Sequence, residues 1–392
     1  MRTDKRVGRR LIAGLIASAI CAGTATASAL LDHPEQRLRE AVDAMHAGRI
    51  DQALRDLDQL VHDEPNFRLA QLLYSQMLAT RAGAVNSSFS SGDAPVDALI
   101  EEARLRLNTS EPPPGSVPAS ILSLSPRHQH ALLADLPRAR LYLLENRNGS
   151  PQVLADFYVA MGKDGYGKQV MGDNRTPVGV YRIINWLAGS GLPDLYGAGA
   201  FPTNYPNVWD RSLGKTGYGI WLHGVPDDTY TRAPRSSEGC VTVANADLLA
   251  LRSYIQPGET PIILSDGTSW LPAAEAAARR ATFLARIESW RAAWSAKDTE
   301  AYLGFYSKAF TVDNMDLKAF SQYKRRVNGA KRYIDVTLQN LDVYLYPGED
   351  NLVLAEFDQD YKSDSFATQS HKQQYWRLES DGQWRIVREE SD

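Results

Sequence analysis

Cysteine is scarce in this chain of 392 residues: Cys21 and Cys240 are the two. Cys240 stands in Ser236-Ser237-Glu238-Gly239-Cys240-Val241-Thr242, and His223 ends the run Ile220-Trp221-Leu222-His223, just before Gly224 and 17 residues upstream of the cysteine. A thiol becomes a nucleophile when a base within hydrogen-bond reach takes its proton or a cation steadies its charge. A histidine ending one strand and a cysteine opening the next can meet if the stretch between them, Val225 to Ser237, folds back. Its two prolines and polar residues suit an active-site loop. Gly239 lets the backbone approach closely, and the N–H groups of Gly239 and Cys240 can face a developing oxyanion. The pairing predicts a thiol of lowered pKa that alkylates fast near neutral pH; the competing reading is an inert buried cysteine. No C-x-x-C or H-E-x-x-H spacing points to a metal, and no cofactor is implied.

Whether that thiol stands alone depends on the N-terminus. Residues 1–29 read as an export signal, with Arg2, Lys5, Arg6, Arg9 and Arg10 ahead of an apolar stretch from Leu11 to about Gly23. That stretch is too short to cross a hydrocarbon core of ~30 Å. Ala27-Ser28-Ala29 places cleavage after Ala29 and marks the chain for export. Cys21 leaves with the signal, so Cys240 is expected as a lone thiol in an oxidising compartment. A net charge of −4 lacks the basic footprint of a nucleic-acid binder. An apolar content of 43% excludes wholesale disorder, and the length suggests two or three domains.

The elements that must position these residues follow from periodicity. Apolar residues at 3–4 spacing from Pro34 to about Ala82 (Leu38, Val42, Met45, then Ala53, Leu54, Leu57, Leu60) predict helices broken at Gly48 and near Pro65, like a tetratricopeptide-type hairpin. A single such unit cannot bury its own core and must pack on something, a second copy in a homodimer among the options. Residues 83–95 read as a linker, followed by a helix from Val96 to Leu107 and a second linker at Pro112-Pro113-Pro114-Gly115, giving a helical region over 30–110. Over 119–267 the period changes to that of strands, among them Ala139–Glu145, Val153–Met161, Val180–Ile184 and Gly219–His223. From Pro272 a long helix (Ala273–Trp294) and a second (Ala301–Tyr306) precede strands at Tyr333–Leu341, Asp342–Leu345, Asn351–Tyr361, His371–Glu379 and Gln383–Arg388, an α+β order over 272–392.

The cysteine stretch resembles the active-site signature of the L,D-transpeptidase (YkuD-type) catalytic domain: a His-Gly, a gap of similar size, then Ser/Thr-His-Gly-Cys. Gly172-Asp173-Asn174-Arg175-Thr176-Pro177-Val178-Gly179-Val180-Tyr181 and Phe201-Pro202-Thr203-Asn204-Tyr205-Pro206-Asn207 resemble two further motifs of that family, in the same order. The resemblance implies a β-rich domain acting on peptidoglycan stem peptides, with Cys240 as nucleophile, His223 as general base and the Gly224 carbonyl orienting the imidazole. Gly239 and Cys240 become oxyanion donors, and Ser237 and Glu238 neighbours of the site. Arg232, Arg235, Thr242, Tyr205 and Asn204 are candidate substrate contacts. Two positions depart from the signature. Glu238 replaces its usual His and would oppose thiolate formation unless paired, with Arg232 or Arg235 at hand. Thr242 replaces an Arg that many relatives place near the substrate carboxylate.

The whole layout resembles the family branch with a C-terminal nuclear-transport-factor-like (SnoaL-like) domain, which includes L,D-carboxypeptidases that trim tetrapeptides to tripeptides. The expected architecture is therefore helical region, β-rich catalytic domain and cone-shaped α+β domain. Trp290, Trp294, Tyr302, Tyr306, Phe357 and Tyr361 either line a small-ligand pocket in that last domain or simply form its core. Three activities stay open: cysteine chemistry ending on water or on an amine, linkage or release of a wall lipoprotein, and a non-catalytic wall-binding scaffold.

Overall fold

The computed structural model describes residues 33–83, 94–107, 111–313 and 315–391. The expected leader, Cys21 and most of the first linker lie outside these residues. Among the described residues no helix is long and apolar enough to cross a membrane.

Three antiparallel helices open the described chain: α1 (Pro34–His46), α2 (Ile50–Asp63) and α3 (Arg68–Arg81). Gly48, at φ +73°, makes the first turn. A fourth helix, α4 (Ala94–Leu107), packs on α3. Leu38, Ala41, Leu54, Leu57, Leu60, Phe67 and Leu69 form their common core. That core is completed by Tyr230 and Ala244 of the β-rich region, so the helices close over a loop of that region.

The β-rich region is built on two main sheets, with a two-stranded pairing of Met161–Gly162 and Arg235–Ser237 beside them. The larger has the strand order Ser150–Tyr158, Arg140–Arg147, His130–Asp135, Pro261–Ser265, Gly179–Arg182, antiparallel except where 130–135 meets 261–265. The smaller runs Val241–Thr242, Trp221–His223, Gly199–Pro202, Leu187–Ala188. Side chains of a strand alternate between faces. Leu132, Leu143, Ile262 and Leu264 point into a core shared with Phe201, Leu222 and Val241 of the smaller sheet. Leu133, Tyr142, Leu144 and Ile263, on the opposite face, pack against Tyr344, Leu352, Leu354 and Tyr375 of the C-terminal sheet. Burial on both faces explains why Ala131-Leu132-Leu133-Ala134 and Pro261-Ile262-Ile263-Leu264 are apolar without alternation.

The C-terminal domain wraps a seven-stranded sheet around the long helix Ala273–Ser295 and two shorter ones. Ile121–Ser123, just ahead of the strands of the β-rich region in sequence, forms the edge of this sheet beside Ile334–Leu345. Three details differ from the sequence reading. The helix expected to reach Tyr306 stops at Leu303, and Tyr306 opens a strand that runs to Val312. Leu317–Gly329 is a helix, capped at its start by the Asp316 side chain accepting from the Ala319 N–H. The two strands split at Leu341 are one strand, with a bulge between Gln339 and Asp342 and Asn340 at φ +52°.

Candidate active site

Parallel pairing of Trp221–His223 with Val241–Thr242 sets Leu222 beside Val241 and His223 beside Thr242. One residue earlier on the second strand, Cys240 enters from the loop next to Trp221. The meeting of histidine and cysteine is thus a consequence of register between two very short strands. His223 is buried, and its Nδ1 lies 2.7 Å from the Gly224 carbonyl. A carbonyl only accepts, so Nδ1 carries the proton and Nε2 is left as the basic nitrogen. A Cβ on Gly224 would come within 2.1 Å of Asn245 Oδ1, which accepts from the Ala198 and Val225 N–H groups at 2.9 and 3.1 Å. Asn245 therefore ties the His-Gly turn to the chain around Tyr196. The sequence reading missed both residues. The Tyr196 ring lies 4.9 Å from the imidazole and 4.9 Å from Trp221, forming one wall of the site. Both are single polar or aromatic residues in unremarkable surroundings, with no spacing to flag them.

The turn into Cys240 is shaped by Ser237. Its Oγ donates to the Cys240 carbonyl at 2.6 Å and accepts from the Gly239 N–H at 3.1 Å. Gly239 sits at φ +124°, and a Cβ there would come within 2.8 Å of the Arg175 carbonyl, so the position requires glycine. The Gly239 N–H, expected to face an oxyanion, is instead committed to Ser237; the Cys240 N–H is the remaining backbone candidate. The thiol donates to the Gly219 carbonyl at 3.4 Å, and among the described residues no hydrogen bond joins it to His223.

The titration of the pair reverses the expected lowered thiol pKa. Burial pushes Cys240 up to about 11, against the Trp221 N–H and the positive charges of Arg232 and Lys168. Burial also pushes His223 down to about 4, and Arg232 lowers it further. At neutral pH the resting pair is a thiol and a neutral imidazole. Only the thiolate alkylates, so the iodoacetamide rate should climb about tenfold per pH unit above neutrality towards the thiol's midpoint. A rate already level at neutral pH would show an ion pair at rest and overturn this reading of the site.

The other expected residues divide. Glu238 is solvated and pairs with Lys163 at 3.8 Å, not with Arg232 or Arg235. Arg235 reaches back to Glu101 of α4 at 3.0 Å. Thr242 is buried beside His223 and bridged to Ala160. The Tyr205 hydroxyl donates to the Thr216 carbonyl at 3.1 Å and Asn204 Oδ1 accepts from the Arg182 N–H at 2.8 Å, so both build the scaffold. Arg232 is the expected contact whose charge acts on both Cys240 and His223. Lys168, also felt at the thiol, is buried with Asp173, whose carboxyl is held down to about 2 against burial by Lys168 and three backbone N–H groups.

In the C-terminal domain Trp290, Trp294, Tyr302, Tyr306, Phe357 and Tyr361 are all buried in one core. A polar group was missed within it: Glu389 takes Lys372 at 2.6 Å and Gln374 at 2.8 Å, with the Tyr306 hydroxyl at 3.3 Å. Strand residues of alternating polarity give no hint that they converge.

Comparison with known proteins agrees with this division. The family model for the L,D-transpeptidase catalytic domain matches residues 129–264, and that for the Cds6 C-terminal NTF2-like domain matches 282–390. The structure of Bdellovibrio bacteriovorus Bd1075 is similar at 32% identity and a TM-score of 0.62, covering 70% of this chain and 98% of its own. The helical cell shape determining protein Pgp2 from Campylobacter jejuni shares the fold at 23% identity and a TM-score of 0.56, covering 74% of this chain and 99% of its own. No curated protein matched.

Proposed function

The chain belongs to the L,D-transpeptidase catalytic-domain family, with an NTF2-like C-terminal domain, and from that premise we propose that it is a periplasmic cysteine enzyme trimming peptidoglycan stem peptides. The observation that carries the reading is the 2.7 Å contact from His223 Nδ1 to the Gly224 carbonyl, which leaves Nε2 as a base on the strand beside Cys240.

The reaction follows from two neutral partners. Cys240 Sγ attacks the carbonyl carbon of the third stem residue while His223 Nε2 takes the thiol proton. The oxyanion forms beside the Cys240 N–H, where a fixed dipole stabilises it without reorganisation. Collapse breaks the C–N bond. The imidazolium returns its proton to the departing D-alanine amine, leaving a thioester. Water, deprotonated by the same nitrogen, attacks the thioester, and the thiol is regenerated with release of the shortened peptide. With an amine in place of water the same steps form a cross-link.

Water as the acceptor is what the layout's resemblance to the carboxypeptidase-containing branch of the family implies, with the NTF2-like domain as the third part of that layout. Incubation of the purified protein with a disaccharide-tetrapeptide, followed by mass spectrometry, tests this. Tripeptide and free D-alanine are expected. A cross-linked dimer would instead make the enzyme a transpeptidase, and no product from any muropeptide would favour a wall-binding scaffold or a different acyl donor.

A further inference from the structure

Two arginines face one cleft without a carboxylate to pair with. The cleft, about 450 Å³, lies between the helical region and the loop joining His223 to Cys240, and Arg68, Glu102, Thr231, Arg232 and Ser236 are among its walls. Arg68 opens α3 and is exposed; Arg232 is half-buried. Neither has an ion-pair partner among the described residues. The carboxylate in the wall, Glu102, is already engaged by Arg106 at 2.9 Å and Thr231 at 3.1 Å.

The wall that carries Arg232 is held in place from several sides. The Tyr158 hydroxyl donates to the Arg232 carbonyl at 3.0 Å, and Arg106 Nη2 donates to Thr231 Oγ1 at 2.7 Å. Tyr230 stacks on Phe67 at 4.1 Å, and Asn66 Nδ2 donates to the Asp227 carbonyl at 3.3 Å. With the backbone that carries the cation fixed in this way, the ordering cost of binding an anion falls on the Arg232 side chain alone. Arg232, Ala233 and Ser236 of the cleft wall belong to the loop that leads into Cys240, and the Arg232 charge acts on both Cys240 and His223, so the cleft lies along the approach to the thiol. Thr242, by contrast, offers the site no charge and is buried in the sheet.

We propose that this cleft is the subsite for the acidic part of the stem peptide, with Arg232 taking a carboxylate next to the scissile bond and Arg68 a second one farther along the chain. The inference rests on the stem-peptide reading above and deepens it: substrate recognition passes from the sheet to the loop and to a helix outside the catalytic domain. The helical region is then part of the binding site, and the site is incomplete without it.

The test is calorimetric binding of a disaccharide-tetrapeptide to the full chain carrying Cys240→Ala, which cannot turn it over. Adding Arg232→Gln should weaken binding about tenfold, the ordinary worth of a charge-assisted hydrogen bond, and Arg68→Gln about threefold because that side chain is exposed. Arg55→Gln, the same charge removed from α2 outside the cleft, should change nothing, and Arg232→Lys should keep most of the affinity. The muropeptide with its carboxylates amidated should bind more weakly to the parent and lose nothing further in either variant. Unchanged affinity in both glutamine variants, equal losses for the amidated ligand, or no binding to the parent would each overturn the proposal. Turnover by the unmutated chain is a separate readout: its absence with arginine-dependent binding intact would end the enzymatic reading and leave the cleft standing.

Discussion

Changing Cys240 to Ala is expected to abolish D-alanine release from the tetrapeptide, and changing His223 to Ala to lower kcat by about 10³-fold, within the range found for a lost general base. The first follows because no other thiol lies among the described residues to form the acyl-enzyme. The second follows from the resting protonation states. With the thiol near 11, only about one molecule in 10⁴ is ionised at neutral pH, so attack without the imidazole must wait for that fraction. The pH profile separates this from mere misfolding. The unmutated enzyme should hold a level rate above the imidazole's value of about 4, whereas the His223→Ala rate should climb about tenfold per pH unit towards the thiol's midpoint. A His223→Ala enzyme within about tenfold of the parent and flat with pH would rule out a general-base role.

Replacing Glu35 by Ala is expected to cost about 3 kcal/mol of stability, the lower end of what breaking a buried ion pair costs. Glu35 is fully buried at the start of α1 and receives Arg106 at 3.1 Å, Arg140, and the Tyr158 N–H at 3.2 Å. Removing it leaves two buried guanidinium groups sharing fewer acceptors. Arg140 keeps Asp156 and Arg106 keeps Glu102, which is why the lower end applies. The same residue sets an acid limit. Burial alone would raise its carboxyl, but Arg140 and then Arg106 hold it down to about 2 from an ordinary 4.5. A depressed folded value means stability that is complete above pH 4.5 and is lost as pH falls towards 2, about 3 kcal/mol in all. Hydrogen exchange of α1 amides, with and without Glu35→Ala across that window, reads both effects. Protection within about 1 kcal/mol of the parent at neutral pH would show that the network adds no stability.

The family was legible because its signature is local: His223-Gly224 and Ser237 to Cys240 are short stretches of sequence. The three-part architecture was legible from the change of apolar period along the chain. Several of the contacts that sequence reasoning missed share one property, long separation in sequence. Arg106 reaches Thr231 across 125 residues, Arg140 reaches Glu35 across 105, and Arg235 turned to Glu101 across 134. A charged residue read alone looks solvated, and nothing in its neighbours tells which distant partner will neutralise it. Tyr205 and Asn204 show the converse: a motif marks positions, and the partners their polar atoms take within the domain, the Thr216 carbonyl and the Arg182 N–H, appear only in the fold.

The sequence by itself determined the family and the order of helical, β-rich and α+β parts, since these depend on short local motifs and on periodicity along one strand or helix. Tertiary structure alone decided the protonation state of Cys240 and His223, because burial is a property of everything packed around a group. It also decided that the N-terminal helices pack on the loop joining His223 to Cys240: their core is finished by Tyr230 and Ala244, and apolar surface closes on whichever complementary face the fold brings near.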